Sequence, residues 1–200
     1  MLRSPYRVQE GKHYDDNRNA RNVIERVTGA FAEINTDHKY IHEGIAFRAH
    51  IEVGEISGDT EFLFRAPAGK YVHYKNTTMQ ALGGSVKLQI IRGVEVTDSD
   101  AFDSSLPLLT EPANLSDVSD NNSLVEIAKN PTYTSGEVWR TEIAYGDSTN
   151  QFTSLIETKS FDNEELVMKP GGDYVFKLSR YGSDTPLVAL SLFWYEEDSA

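Results

Sequence analysis

The segment 46–53 reads Ala46-Phe47-Arg48-Ala49-His50-Ile51-Glu52-Val53, and its apolar and polar side chains alternate. Successive side chains of a β-strand point to opposite faces. The alternation therefore places the apolar residues Phe47, Ala49, Ile51 and Val53 on one face and the polar residues on the other. We expect a strand with one face in a core and one face in solvent.

The same two-residue period recurs along the chain. It appears at 61–65 and 71–75, with Pro67 and Gly69 as turn residues between them, and again at 85–94, 137–145, 151–158, 166–168, 174–178 and 188–195. Gly83-Gly84 predicts a turn, and Ile91 breaks the alternation near Gly93, which predicts either a bulge or the end of the strand. Short strands separated by turn residues indicate an all-β fold, an antiparallel sandwich of the jelly-roll type.

The chain divides into an N-terminal arm, residues 1–36, and a sandwich domain, residues 37–200, interrupted by a long acidic loop at about 97–126. Within the arm, segment 20–31 is the best helical candidate because its apolar residues share a helical face, although Gly29 and the β-branched residues weaken it. Within the loop, the apolar group Leu106-Pro107-Leu108-Leu109 is expected to pack on the domain or on a second subunit.

Charge is distributed unevenly. The chain has a formal net charge of −12, but its start is net basic through six residues: Arg3, Arg7, Lys12, Arg18, Arg21 and Arg26. Segment 93–128 has no Lys or Arg. Such an acidic chain argues against nucleic-acid binding, which depends on clustered positive charge. A basic arm and an acidic loop favour a protein that binds a neighbour, and the alternative is a solvated, mobile arm.

Several classes of protein are disfavoured. The chain has no cysteine, so it has no disulfide, thiolate nucleophile or cysteine zinc site. No apolar run approaches the roughly 20 residues of a membrane-spanning helix, and the N-terminus lacks a secretory pattern. We expect a protein that is made in the cytoplasm and does not contact a membrane.

Two short motifs carry a family resemblance. The first is His42-Glu43-Gly44, which leads into the strand at 46–53, and the second is Trp194-Tyr195-Glu196, near the end of the chain. Together with Leu63-Phe64-Arg65-Ala66-Pro67 and Tyr71-Val72-His73-Tyr74, they resemble tailed-bacteriophage virion proteins that decorate or cement the head. The similarity extends over roughly residues 28–196.

The resemblance implies a structural capsid decoration protein with no cofactor and no catalysed reaction. It would be made in the host bacterial cytoplasm and incorporated on the virion surface, bound to the major capsid protein and to itself, as a trimer rather than a dimer. The six basic residues of the arm would form the capsid or subunit interface. His42, Glu43, Gly44, Trp194, Tyr195 and Glu196 would be structural.

Two other functions stay open. The aromatic residues Tyr71, Tyr74, Phe193, Trp194 and Tyr195 could stack on sugars in a carbohydrate- or receptor-binding module, although strand alternation favours packing roles for them. His50 and Glu52 could belong to a cupin-type metalloenzyme, but no later strand supplies a further histidine. We therefore expect no metal site and no catalytic residue.

Overall fold

The structure is a computed structural model. It describes residues 21–24, 31–34, 41, 44–102, 107–109, 122–146, 154–157 and 166–199. The thirteen elements assigned within these ranges are all strands: β1 (Arg21–Ile24), β2 (Phe31–Ile34), β3 (Ala46–Glu55), β4 (Thr60–Arg65), β5 (Lys70–Leu82), β6 (Ser85–Asp98), β7 (Pro107–Leu109), β8 (Glu126–Lys129), β9 (Thr132–Ala144), β10 (Ser154–Glu157), β11 (Leu166–Met168), β12 (Asp173–Tyr181) and β13 (Leu187–Asp198).

Strands β3 to β13 form two antiparallel sheets. One has the order β10-β5-β13-β3-β7, with β11 also paired to β5, and the other has the order β8-β4-β12-β6-β9. The pairs are nested, because β3 pairs with β13, β4 with β12, β5 with β10 and β11, and β6 with β9. A long antiparallel hairpin rolled up in this way is a jelly roll. The predicted fold class is confirmed.

The core lies between the two sheets. In β3, Phe47, Ala49 and Ile51 are buried while the polar residues between them are exposed, as the alternation predicted. The largest fully buried side chains include Trp194, Tyr74, Phe64, Phe176, Met79 and Leu88. These residues come from both sheets and make one continuous apolar cluster. Its burial is the main source of stability in a fold of this kind.

The turns and the bulge fall where the sequence predicted them. Gly83 has φ +78° between β5 and β6, a conformation that glycine adopts without strain. In the β6–β9 pairing, Ile90 faces Arg140 but Ile91 faces Val138, so Trp139 has no opposite residue. This register shift is the bulge that Ile91 predicted. A bulge bends its strand and changes the direction of the side chains near it, here those around Trp139 in β9.

Segment 20–31, the best helical candidate of the arm, is extended and not helical where the structure describes it, at residues 21–24 and 31. β1 and β2 form a two-stranded sheet of their own, in which Arg21 faces Ile34 and Ile24 faces Phe31. The physical reason lies in the β-branched residues Val23 and Ile24, whose side chains are restricted in a helix and favour extended backbone.

The loop after β6 contacts both sheets. The backbone N–H of Asp100 donates to the carbonyl of Lys129 at 2.9 Å, and the guanidinium of Arg65 lies over the Phe102 ring at 5.0 Å. Further on, Pro107–Leu109 pairs as β7 with the edge of β3. Part of the predicted apolar group Leu106-Pro107-Leu108-Leu109 therefore joins the domain, as expected. The described ranges contain no helix that is long and apolar enough to cross a membrane.

Candidate functional site

The C-terminal motif lies in β13, between β3 and β5 in the middle of one sheet. Trp194 is fully buried and faces the core, where its ring centroid is 5.4 Å from that of Phe64 in an edge-on arrangement. Tyr195 points to the opposite side of the sheet and is also buried. Both aromatic residues are positioned by the pleat of the strand, and both act in packing.

Glu196 is a buried acid with three donors around it. Its side chain is 2% exposed. The Oε1 atom accepts a hydrogen bond from the Ser123 hydroxyl at 2.6 Å, from the Leu124 backbone N–H at 3.2 Å and from the Trp194 indole N–H at 3.3 Å. Oε2 lies 3.3 Å from the same Leu124 nitrogen. The carboxylate therefore ties the end of the long loop to the last strand. Buried carboxylates with such donors are favourable, whereas an unpaired one is costly.

Tyr195 belongs to a second, smaller cluster on the outer face of that sheet. It packs with Ala46 and with the partly buried Ile41, Ile45 and Phe193. The His73 ring stacks on Tyr195 with centroids 4.4 Å apart and an interplanar angle of 8°. The His73 Nε2 atom is 3.1 Å from a carboxylate oxygen of Glu197. The aromatic–histidine strand of the resemblance thus packs directly on the C-terminal motif.

The remaining predicted interface and motif residues are placed only in part. Arg21 begins β1. Gly44 has φ +71°, and its N–H donates to the Ile41 carbonyl at 3.1 Å, so glycine is required here by the backbone. The others lie outside the described residues: Arg3, Arg7, Lys12, Arg18, Arg26, His42 and Glu43.

The cupin-type alternative finds no ligand set in the part of the chain that the structure describes. His50 and Glu52 lie on the exposed face of β3, and His50 Nδ1 is 3.0 Å from the Ser191 hydroxyl. Within the described residues, no three His, Asp or Glu side chains are grouped so that they could hold a metal ion.

The aromatic residues proposed for sugar stacking are mostly inaccessible. Tyr74, Trp194 and Tyr195 are buried, and only Tyr71 among the five is more than a third exposed. Their role in packing, which the strand alternation favoured, accounts for them.

The structure instead presents a groove that the sequence pattern does not predict. It lies at the edge of the sandwich, where β6 and β9 of one sheet face β11 and the turn before β12. Its cavity volume is about 630 Å³, and Trp139 and Tyr174 form its aromatic part. Their ring centroids are 5.8 Å apart at 30°. Pockets of this size commonly hold small ligands.

Charged groups surround the aromatic pair. Arg92 lies directly opposite Glu137 in the strand register, and its Nε and Nη2 atoms are 2.6 and 2.5 Å from the same oxygen, Glu137 Oε1. The Arg92 guanidinium also lies 5.4 Å from the centre of the Trp139 ring. On the other side of the groove, Asp173 binds Arg65 through both carboxylate oxygens, at 2.7 and 3.2 Å. Each acid in the groove is thus held by an arginine.

Tyr174 and Lys169 complete the groove. The Tyr174 hydroxyl accepts a hydrogen bond from the Lys169 backbone N–H at 2.8 Å. Burial raises the pKa of the Tyr174 hydroxyl, so it stays protonated and can donate. The Lys169 side chain is exposed, and no described residue forms an ion pair with it.

The sequence pattern contained one signal for this groove, which is the break in alternation at Ile91. A bulge re-aims side chains near it. The broken pattern is in β6, but the extra residue of the bulge is in the partner strand β9. The sequence of β6 therefore does not show which side chain the bulge redirects. The sequence alone therefore predicts Trp139 only as part of an ordinary strand.

Comparison of the chain with protein-family models, with curated proteins and with solved structures finds no match. The family resemblance of the two motifs therefore stays a prediction.

Proposed function

We propose that this protein is a structural component of a tailed-bacteriophage virion, which binds the outer surface of the head and cements or decorates the lattice of the major capsid protein. The proposal starts from the motif resemblance. It is supported by the structural use of the C-terminal motif, in which Glu196 joins the last strand to the long loop. A sandwich held together in this way is a rigid body suited to a structural role.

The observation that carries the proposal is the division of charge between the arm and the body. Residues 1–26 contain six basic and four acidic residues, whereas the rest of the chain contains 13 basic and 27 acidic residues. β1 and β2 form a sheet separate from the two sheets of the sandwich. A net basic segment at the start of an acidic chain can contact a capsid subunit or a sister protomer, and electrostatic complementarity favours that association.

The proposed partners follow from this role. They are the major capsid protein and further copies of the chain, with a trimer favoured over a dimer because head lattices offer threefold positions that a closed trimer can match. Light scattering at micromolar concentration tests the pre-assembled trimer. A strictly monomeric mass would contradict a trimer in solution.

Binding to undecorated heads tests the function itself. Three proteins are compared with the intact chain by co-sedimentation across a salt series. The first lacks residues 1–26. The second carries Arg3→Ser, Arg7→Ser and Arg18→Ser. The third is a matched control with Arg48→Ser, Lys129→Ser and Arg180→Ser, which removes three exposed positive charges from the sandwich.

We expect truncation to abolish most of the head occupancy, because the arm contributes contact area and charge that the body cannot replace. The arm triple variant should bind more weakly and with less dependence on salt, since screened attraction is what it has lost. The control should bind like the intact chain. Full occupancy by the truncated protein contradicts the role of the arm, and absence of binding by the intact chain contradicts the proposed function.

A further inference from the structure

We propose that the groove between β6, β9 and β11 binds an acidic saccharide, a sugar ring that carries a carboxylate. The residues that define the site are Arg92, Glu137, Trp139, Lys169 and Tyr174. The inference does not depend on the proposed function, because it rests on the chemistry of the groove.

Its size and aromatic lining suit a sugar. The volume of about 630 Å³ accommodates one or two rings, and the partly exposed Trp139, backed by the largely buried Tyr174, gives it an apolar wall against which the C–H groups of a sugar can pack. The wall is fixed from behind, because Trp139 packs against the core and Tyr174 is 7% exposed. A preformed wall of this kind avoids the entropic cost of ordering aromatic side chains on binding.

Residues with hydrogen-bond donors and acceptors line the groove together. Within the described residues, the Trp139 indole N–H and the Lys169 ammonium have no hydrogen-bond partner, and the protonated Tyr174 hydroxyl retains its donor. Glu137 binds Arg92 through Oε1 alone, so that no described residue donates to Oε2. Sugar hydroxyls both donate and accept, and they match a site in which donors and one free acceptor surround an aromatic wall.

The charge of the groove selects an acidic sugar. Glu137 is neutralised by Arg92 and Asp173 by Arg65, whereas Lys169 contributes a positive charge without a counterion in the described part of the chain. A ligand carboxylate can therefore pair with Lys169 without displacing an existing ion pair. The same pairing of both acids with arginines disfavours a metal ion, which needs free carboxylates.

Nuclear magnetic resonance provides a direct readout, because the chain has two tryptophans with different surroundings. The Trp139 indole faces the groove, and the Trp194 indole is buried and bonded to Glu196, so it serves as an internal reference. The probes are glucuronate, N-acetylneuraminate and neutral glucose, titrated into ¹⁵N-labelled full-length protein. We expect the acidic sugars to shift the Trp139 indole signal with a dissociation constant on the order of millimolar, and glucose to bind several-fold more weakly.

Two variants assign the effect to the groove. Lys169→Gln should weaken binding of the acidic sugars about tenfold, because it removes a charge-assisted contact, and should leave glucose binding unchanged. Lys129→Gln removes one exposed lysine from β8, which lies at the opposite edge of the sheet from β9. It should change the binding of neither the acidic sugars nor glucose. Both side chains are exposed, so neither substitution should affect folding.

Several results would overturn the proposal: no shift of the Trp139 signal by any sugar up to tens of millimolar, equal binding of neutral and acidic sugars, or equal loss in the Lys129→Gln control. A further titration with an acidic hexapeptide tests whether the groove binds a protein partner instead of a sugar. A shift by the peptide without a shift by the sugars would assign the groove to a protein partner and contradict the saccharide proposal.

Discussion

Removal of the Glu196 carboxylate should destabilise the protein by about 3 kcal/mol. The acid is 2% exposed and accepts hydrogen bonds from the Ser123 hydroxyl, the Leu124 N–H and the Trp194 indole N–H. In Glu196→Ala, the buried indole N–H loses its acceptor, which costs about 1–3 kcal/mol. The two loop donors are only partly buried and can bind water, so they add about 1 kcal/mol together. For a domain of this size the loss corresponds to a decrease in Tm of roughly 6–12 °C.

Chemical and thermal unfolding of two further variants separates the contributions. Glu196→Gln keeps the shape and one acceptor, and it should cost about 1 kcal/mol. Glu126→Ala is the control, since its side chain is 50% exposed and its nearest cation, Arg65, is 3.8 Å away. It should change the free energy of unfolding by less than about 0.5 kcal/mol.

Hydrogen exchange locates the effect. In Glu196→Ala, the Leu124 amide should exchange faster, because the carboxylate that fixes the loop to the strand is gone. The central amides of β13 should remain the more protected ones. The reasoning is refuted if Glu196→Ala unfolds at the same denaturant concentration as Glu126→Ala, or if the Leu124 amide exchanges no faster than in the unmodified chain.

Three further predictions concern stability. The hydrogen bond from Lys177 lowers the pKa of Asp59 below 3.8, and Asp59 in turn raises the pKa of Lys177 above 10.5. The pair therefore stabilises the folded state between these values, and the stabilisation is lost as the pH falls through the lowered pKa of Asp59. Asp59→Asn should lower Tm slightly at pH 7 and by less in acid below pH 3.8, and an equal decrease at both pH values would contradict this. Gly136→Ala should cost about 2 kcal/mol more than Gly171→Ala in urea unfolding, because its Cβ would lie 2.8 Å from two methyl groups of β6 whereas the space around Gly171 is open; equal losses would contradict the steric argument. Trp194→Ala should cost about 4 kcal/mol, and a loss below about 1 kcal/mol would show that the residue is not part of the core.

Local pattern was enough to predict the strands and their inner faces. The alternation in β3 identified Phe47, Ala49 and Ile51 as core residues, and the turn residues before β5 and between β5 and β6 identified the ends of strands. These features depend on the two-residue period and on the backbone freedom of glycine, both of which are properties of short segments. The helical candidate 20–31 is extended over Arg21–Ile24 for a related reason. A short segment with β-branched residues fits either period, and strand pairing decides between helix and strand.

The sequence by itself determined that this chain is an all-β sandwich with a basic arm and an acidic body, because periodicity, turn residues and charge are local quantities. The tertiary structure decided which distant groups meet. Glu196 binds Ser123 and Leu124 across a separation of more than 70 residues. Trp139 enters a groove because the bulge between β6 and β9 leaves it without an opposite residue. The Glu196 contact has no local signature, and the only local sign of the bulge is the break in alternation at Ile91. Both depend on how the whole sandwich pairs and packs.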